Sequence, residues 1–182
     1  MLLEKFYIIN QHMMYIEGVL DENGKLISKV HQDDKTFLVD RSPLEILKDS
    51  IKFIGYDYRG AKATAKWLLG EINLCPVMVN PILGICVFPD PSITSVEAIL
   101  FNPAHIIRTT SHHGKTRIEF SNGYILDIKR KLSSFNHKLQ AAEQLRKLTV
   151  EIGKNPKSFI LDPNKKRILH NISKRKSYNK KK

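Results

Sequence analysis

The segment from Gly55 to Thr64 contains the glycines, lysine and threonine from which phosphate-binding loops are built. In such a loop a lysine directly follows the second glycine and a serine or threonine comes next, so that amides, ammonium and hydroxyl converge on one phosphate chain. Here Ala61 separates Gly60 from Lys62, and Ala63 follows the lysine. The preceding residues also fit a helix better than a strand. We therefore expect no nucleotide hydrolysis, and no enzymatic activity from the chain.

Three cations of the same segment fall on one face of a predicted helix. Arg59, Lys62 and Lys66 are three and four residues apart, and Tyr56 and Tyr58 stand just before the helix or at its start. Because residues at these spacings are neighbours on a helix, the three side chains are predicted to lie together. Free amides and the positive end of the helix dipole would add to their attraction for phosphate. The pattern fits either a surface for a nucleic-acid backbone or a solvated helix face.

A second group of cations lies on a predicted hairpin. Arg108, Lys115 and Arg117 surround the dipeptide His112-His113. Adjacent residues of a strand point to opposite sides, so the two histidines are poor partners for one metal ion, and we expect no metal site. A surface turn before Gly114 is the simpler interpretation. The alternative is a cationic hairpin that contacts DNA or RNA.

The last thirty residues carry most of the charge. Residues 153–182 contain eleven lysines and arginines and one acid, a net of +10 out of +12 for the whole chain. A near-neutral body with a basic tail indicates an anionic partner, most commonly nucleic acid. The only run of three apolar residues in the tail, Phe159-Ile160-Leu161, precedes Asp162-Pro163. This run fits either a short docking motif or a last element packed on the body.

Length and composition predict one globular domain over residues 1–152, followed by the basic tail at 153–182. No apolar run approaches the roughly 18 residues of a membrane span, so no membrane association is expected. The first residues lack the pattern of a signal peptide. Cys75 and Cys86 fit packed thiols, which suits a reduced cytoplasm, and nothing indicates a cofactor.

The order of elements predicts the fold class. Strands are expected over the first forty residues, with a hairpin turn at Asp21-Glu22-Asn23-Gly24. Ser42 and Glu45 form a capping box for a first helix, and a second helix runs to a stop at Gly70. Short strands follow, and a long helix capped by Ser133 or Ser134 reaches about residue 152. This is an α+β fold with a mostly antiparallel sheet, two short helices, one long C-terminal helix and a flexible basic tail. The apolar face of the long helix is expected to pack on the sheet, with a dimer seam as the alternative.

Six segments between residues 13 and 148 recur, in order and at compatible spacing, in one known family. They are residues 26–62, 78–81, 87–89, 120–123, 134–135 and 145–146. Together they resemble the ComK family, the competence transcription factors of Gram-positive bacteria. The chain departs from the family pattern at Ala61, where a basic residue is expected, and Arg59 is the candidate replacement.

The resemblance implies a transcriptional activator of competence genes that binds double-stranded DNA. Its sites would be paired AT-rich boxes, bound mainly through the minor groove by an oligomer that assists RNA polymerase. A narrow AT-rich minor groove is strongly negative and attracts arginine and lysine. On this hypothesis the DNA contacts are Arg59, Lys62 and Lys66, then Arg108, Lys115 and Arg117.

The resemblance also implies regulated proteolysis, in which an adaptor recognises a C-terminal motif and delivers the protein to a Clp protease. Phe159, Ile160, Leu161, Asp162 and Pro163 resemble that motif, although Asp162 stands where an aromatic is expected. The protein would then be cytoplasmic and associated with the nucleoid. The alternative hypothesis is a general RNA- or ribosome-binding protein, for which the basic tail alone would suffice.

Overall fold

The computed structural model describes residues 3–70, 72 and 75–154. The helices and strands of these residues follow the predicted order, with one short strand added at the start. The strands are β1 (Leu3–Glu4), β2 (Met13–Leu20), β3 (Leu26–Gln32), β4 (Thr36–Val39), β5 (Val77–Asn80), β6 (Ile85–Asp90), β7 (Ile99–Phe101), β8 (Ile106–His112), β9 (Lys115–Phe120) and β10 (Ile125–Ile128). The α-helices are α1 (Pro43–Phe53), α2 (Tyr58–Leu69) and α3 (Leu132–Lys154), and a short 3₁₀ turn covers Pro103–His105.

The strands form two sheets. The large sheet has seven strands in the order β1-β4-β3-β2-β7-β6-β5, and β10-β9-β8 form a separate small sheet. Among the described pairings, only β1 with β4 is parallel. The predicted α+β class is therefore confirmed. The two-residue β1 was not predicted, because so short a strand has no periodicity.

Two hydrophobic cores lie on opposite faces of the large sheet. In β6, Ile85 and Val87 join the core that includes α1, whereas Cys86 and Phe88 join the core that includes α3 and the small sheet. Successive residues of a strand point to opposite faces, so β6 is buried on both sides. Burial raises the pKa of the Cys86 thiol, which keeps it protonated and unreactive.

Helix α2 packs against β5, the edge strand of the large sheet, and reaches both cores. Ala65 and Leu68 belong to the core shared with α3, whereas Tyr58 and Ala61 pack against the core shared with α1. The remaining face of α2 is exposed. The backbone of this helix is therefore fixed by the fold, while its outer side chains face solvent.

The ends of the helices test the predicted caps. The Ser42 hydroxyl accepts from the Glu45 amide, and the Glu45 carboxylate accepts from the Ser42 amide at 2.8 Å, so the capping box is confirmed. The prediction for α3 was wrong: the helix begins at Leu132, and Ser133 and Ser134 lie inside its first turn. The Phe135 amide donates to the backbone carbonyl of Lys131 at 3.1 Å, so this amide in the first turn is not bonded to a serine hydroxyl. The apolar face of α3 packs against β6, as predicted.

One buried carboxylate joins the two sheets to α3. Asp90 at the end of β6 is 3% exposed and lies 3.0 Å from Arg130 Nε, and it also pairs with the Lys138 ammonium. Arg130 follows β10, whereas Lys138 lies on α3. Removing the buried carboxylate would leave both cations without their counter-charge. We therefore expect Asp90 to contribute strongly to the stability of the fold.

Strand β2 has two further positions that constrain the fold. A Cβ atom added at Gly18 would lie 2.6 Å from the carbonyl oxygen of Val96, so only glycine fits there without a backbone shift. Next to it, Glu17 Oε1 lies 3.0 Å from His31 Nε2 and 3.1 Å from Lys29 Nζ. The hydrogen bond with His31 is the main reason that the pKa of Glu17 is lowered.

No helix among the described residues combines the length and apolar character needed to cross a membrane.

Candidate nucleic-acid interface

An open groove of about 990 Å³ runs between α1 and α2. The loop Ser92–Thr94 between β6 and β7 contributes to its lining. Asp57 is the only carboxylate among the described residues that line it. Five cations, two from α1 and three from α2, give it a positive character: Lys48, Lys52, Arg59, Lys62 and Lys66. We call this surface the basic groove.

The structure places the three cations predicted on α2 together. Arg59, Lys62 and Lys66 are all exposed and all line the basic groove, as their helical spacing predicts. The Lys62 ammonium lies 5.6 Å from the centre of the Tyr58 ring, a cation–π distance that holds it over the start of the helix. The sequence left two interpretations of these residues open, a surface for a nucleic-acid backbone or a solvated helix face. Their position along one groove favours the first.

Two cations of the groove were missed by the sequence analysis. Lys48 and Lys52 lie on α1, four residues apart, on the side opposite the buried Ile46 and Ser50. Their spacing was readable in the sequence. The fact that α1 faces α2 across a groove was not, because it depends on how both helices pack on the sheet.

The backbone amides at the start of α2 are not all free, contrary to the prediction. The Asp57 carboxylate accepts a hydrogen bond from the Gly60 amide at 2.9 Å and so caps the helix from within the protein. A negative charge at this end offsets the helix dipole. The attraction of the groove for anions therefore comes from its side-chain cations.

The shape and charge of the groove suit an extended polyanion. Cations on two helices face a common open space, and a cleft with low-dielectric walls focuses their field. The hydroxyls of Ser92 and Thr94, 3.0 Å apart, stand on the loop side and can donate or accept hydrogen bonds. A phosphate backbone could be held by the cations while polar groups approach the bases or sugars.

The second predicted group of cations does not line this groove. On the outer face of the small sheet, Arg117 Nε and Nη2 each lie 2.9 Å from an oxygen of Asp127, and Arg108 Nη2 lies 2.6 Å from Glu119. The pair with Arg117 lowers the pKa of Asp127. Lys115 is exposed beside the hairpin turn. The charge of both arginines is thus balanced across neighbouring strands, which weakens the case for a cationic hairpin.

The paired histidines form the predicted surface turn. His113 and Gly114 have φ values of 47° and 75°, the left-handed conformation of a tight hairpin. His112 Nδ1 lies 3.0 Å from Arg117 Nη2. Among the residues that the structure describes, no group of three or more His, Cys, Asp or Glu side chains could hold a metal ion.

The family described as ComK protein matches residues 4–152, which include nearly all the described elements. The chain belongs to the ComK family. It is also 29% identical over 125 residues to the competence transcription factor of Bacillus subtilis (strain 168).

The similarity to that ComK-family relative covers 68% of this chain and 65% of the relative. The chain therefore spans somewhat less than two thirds of the length of the curated protein that it matches. No solved structure matches the chain significantly. The predicted adaptor motif, Phe159 to Pro163, lies outside the described residues and beyond the family match.

Proposed function

We propose that this chain is a transcription factor that activates competence genes by binding double-stranded DNA in the basic groove. Membership of the ComK family and the name of the B. subtilis relative support the regulatory role. The observation that carries the DNA-binding site is the convergence of five cations from two helices on one groove. The chain acts as a regulator and not as an enzyme.

In this proposal the two kinds of cation have different tasks. The lysines neutralise phosphates on either side of the groove, which positions the DNA and supplies affinity for any sequence. Arg59, on the first turn of α2, is the candidate to enter the minor groove. An AT-rich minor groove is narrow and strongly negative, so an inserted arginine favours AT-rich boxes.

Paired boxes require two grooves, and so the active species is an oligomer of this chain. An oligomer fixed on two boxes can bend or position the promoter to help RNA polymerase. The tail at 153–182 adds sequence-independent attraction through its net charge of +10. Residues Phe159 to Pro163 would dock an adaptor of a Clp protease, and the protein would work in the cytoplasm at the nucleoid.

The test is fluorescence anisotropy with AT-box and GC-rich duplexes of equal length at one salt concentration. Wild type should prefer the AT boxes, and Arg59→Ala should lower that preference by about tenfold. Lys35→Ala removes an exposed cation that lies outside the groove and outside both predicted contact groups. This matched control should change neither affinity nor preference.

Equal affinity of wild type for both duplexes would reject sequence-specific binding. A double-stranded RNA of the same sequence distinguishes the alternative function. If RNA binds as well as DNA, and removal of residues 153–182 abolishes both, then the chain is a general nucleic-acid-binding protein.

A further inference from the structure

An exposed aromatic ring stands in the basic groove. Tyr56 lies on the turn between α1 and α2, lines the groove and is 51% exposed. Among the described residues, its side chain has no hydrogen bond, ion pair or contact with another ring. Tyr58, the other tyrosine of the groove, is partly buried and packs against the core shared with α1. Of the two rings, Tyr56 is therefore the one that is open to a ligand.

The backbone on both sides of Tyr56 is held by a helix end. Gly55 has a φ of 85°, the left-handed conformation that closes a helix, and its amide donates to the Lys52 carbonyl at 3.0 Å. The Tyr56 amide donates to the Ile51 carbonyl at 3.1 Å, which completes a Schellman motif at the end of α1. The next residue, Asp57, caps the start of α2 through its carboxylate. The ring therefore projects from a rigid turn, which lowers the entropy lost when a ligand binds to it.

The charges around Tyr56 favour a base over a phosphate at this point of the groove. Lys52 lies on α1 and Arg59 on α2, so both helices that the turn joins carry a cation of the groove. Next to Tyr56 in the chain, however, stands Asp57, the only carboxylate among the described residues that line the groove. Its negative charge repels a phosphate, whereas an uncharged base meets no such repulsion. A nucleic acid held by the cations would therefore present its bases to Tyr56.

We propose that the Tyr56 ring inserts between two base pairs of DNA bound in the basic groove, and that it thereby selects pyrimidine–purine steps such as TpA. Proteins that bind the minor groove frequently insert an apolar side chain between base pairs, which partly unstacks them. Pyrimidine–purine steps are flexible and easily unstacked, so an inserted ring favours them.

This inference rests on the proposed function and adds a second criterion of sequence to it. Arg59 would favour AT-rich DNA because its minor groove is strongly negative. Tyr56 would choose among AT-rich sequences according to how easily one base step opens.

The first experiment measures binding of the full chain to two AT-rich duplexes by fluorescence anisotropy. The duplexes differ only in the order of the two central base pairs, which form a TpA step in one and an ApT step in the other. Wild type should bind the TpA duplex about tenfold more tightly, the size typical of one base stacked on an aromatic side chain. Tyr56→Ser should lose this preference but still bind the ApT duplex like wild type, which also shows that the variant is folded.

Two further variants separate the ring from its surroundings. Tyr56→Phe keeps the ring without its hydroxyl and should keep the preference for TpA. Phe53→Ser removes a ring that is 74% exposed at the end of α1 but does not line the groove, and it should also keep the preference. Loss of the preference in either variant would overturn the inference.

The second experiment detects the opened base step directly. Permanganate oxidises thymines whose faces are exposed by unstacking. When protein saturates the TpA duplex, the thymine of the central step should become more reactive than in free DNA with wild type and with Tyr56→Phe. With Tyr56→Ser it should stay at the level of free DNA. Equal reactivity with wild type and Tyr56→Ser would overturn the inference.

The inference and the proposed function fail in different ways. A wild-type chain that prefers AT-rich over GC-rich DNA, but binds the TpA and ApT duplexes equally, would overturn the inference and leave the proposed function in place. A wild-type chain that binds none of these duplexes would overturn both.

Discussion

The most direct test of the basic groove uses the two cations that only the structure revealed. In the variant Lys48→Ala and Lys52→Ala, both wall lysines of α1 are lost while the three cations of α2 stay in place. Both lysines are exposed, and neither has a salt bridge within the described part of the chain. The fold should therefore tolerate the change, and the effect should appear in binding.

The expected size follows from counterion release. Each phosphate neutralised contributes about 0.9 to the slope of log affinity against log salt, so five groove cations give a slope of about −4.5. Raising salt from 50 to 200 mM would then weaken groove binding about 500-fold, against about 40-fold for the double variant. The tail adds equally to both proteins, so the salt sensitivities should still differ by about twelvefold.

The assay is anisotropy on one AT-rich duplex at four or more salt concentrations. The double variant Lys5→Ala and Lys35→Ala removes the same charge from exposed lysines outside the groove and should keep the wild-type slope. A double variant with an unchanged slope would refute the assignment of DNA to this groove. An equal loss of slope in the variant Lys5→Ala and Lys35→Ala would show instead that binding follows net charge and not the site.

Four other outcomes are expected. Asp90→Asn should lower the free energy of unfolding by about 3 kcal/mol in urea titrations, because two partly buried cations, Arg130 and Lys138, lose their counter-charge. Asp127→Asn, which removes a surface ion pair, should lower the free energy of unfolding much less than Asp90→Asn, and similar losses for the two variants would contradict this account. Gly18→Ala should cost about 1–3 kcal/mol by the same measurement, and an unchanged midpoint would show that the neighbouring carbonyl moves freely. Because the pKa of Glu17 is lowered in the folded protein, its carboxylate stabilises the fold above about pH 4.3, and this contribution is lost as pH falls through the folded pKa. The free energy of unfolding of Glu17→Gln should therefore fall less steeply at acid pH than that of wild type. Parallel curves for the two proteins would exclude the effect. Deletion of residues 153–182 should flatten the salt dependence of DNA binding but keep the preference for AT-rich boxes; loss of that preference would place sequence recognition in the tail.

Local patterns predicted the elements well where the signal was itself local. The capping box at Ser42 and the stop at Gly70 gave α1 and α2 almost to the residue, because both are set by hydrogen bonds within a few positions. The cap of α3 was misplaced because two adjacent serines suggested a side-chain cap, whereas Phe135 bonds to a backbone carbonyl.

Features that depend on long-range packing were not predictable in the same way. The cations of α2 were identified from spacing alone, but Lys48 and Lys52 join them only because both helices pack beside β5. The charges of Arg108 and Arg117 are balanced by carboxylates on neighbouring strands, and strand register decides that pairing. A single sequence gives the charges but not the register.

The position of α2 between two cores has a consequence for the cost of binding. Since both inner faces of the helix are packed, the backbone that carries Arg59 and Lys62 is already ordered in the free protein. The entropic cost of binding DNA would then come only from fixing side chains, about 0.5–1.5 kcal/mol of lost rotamer entropy for each, and not from folding a recognition segment. The exposed cations can also be exchanged without disturbing either core. Related chains could therefore change their DNA preference by substitution on this face while keeping the same stability.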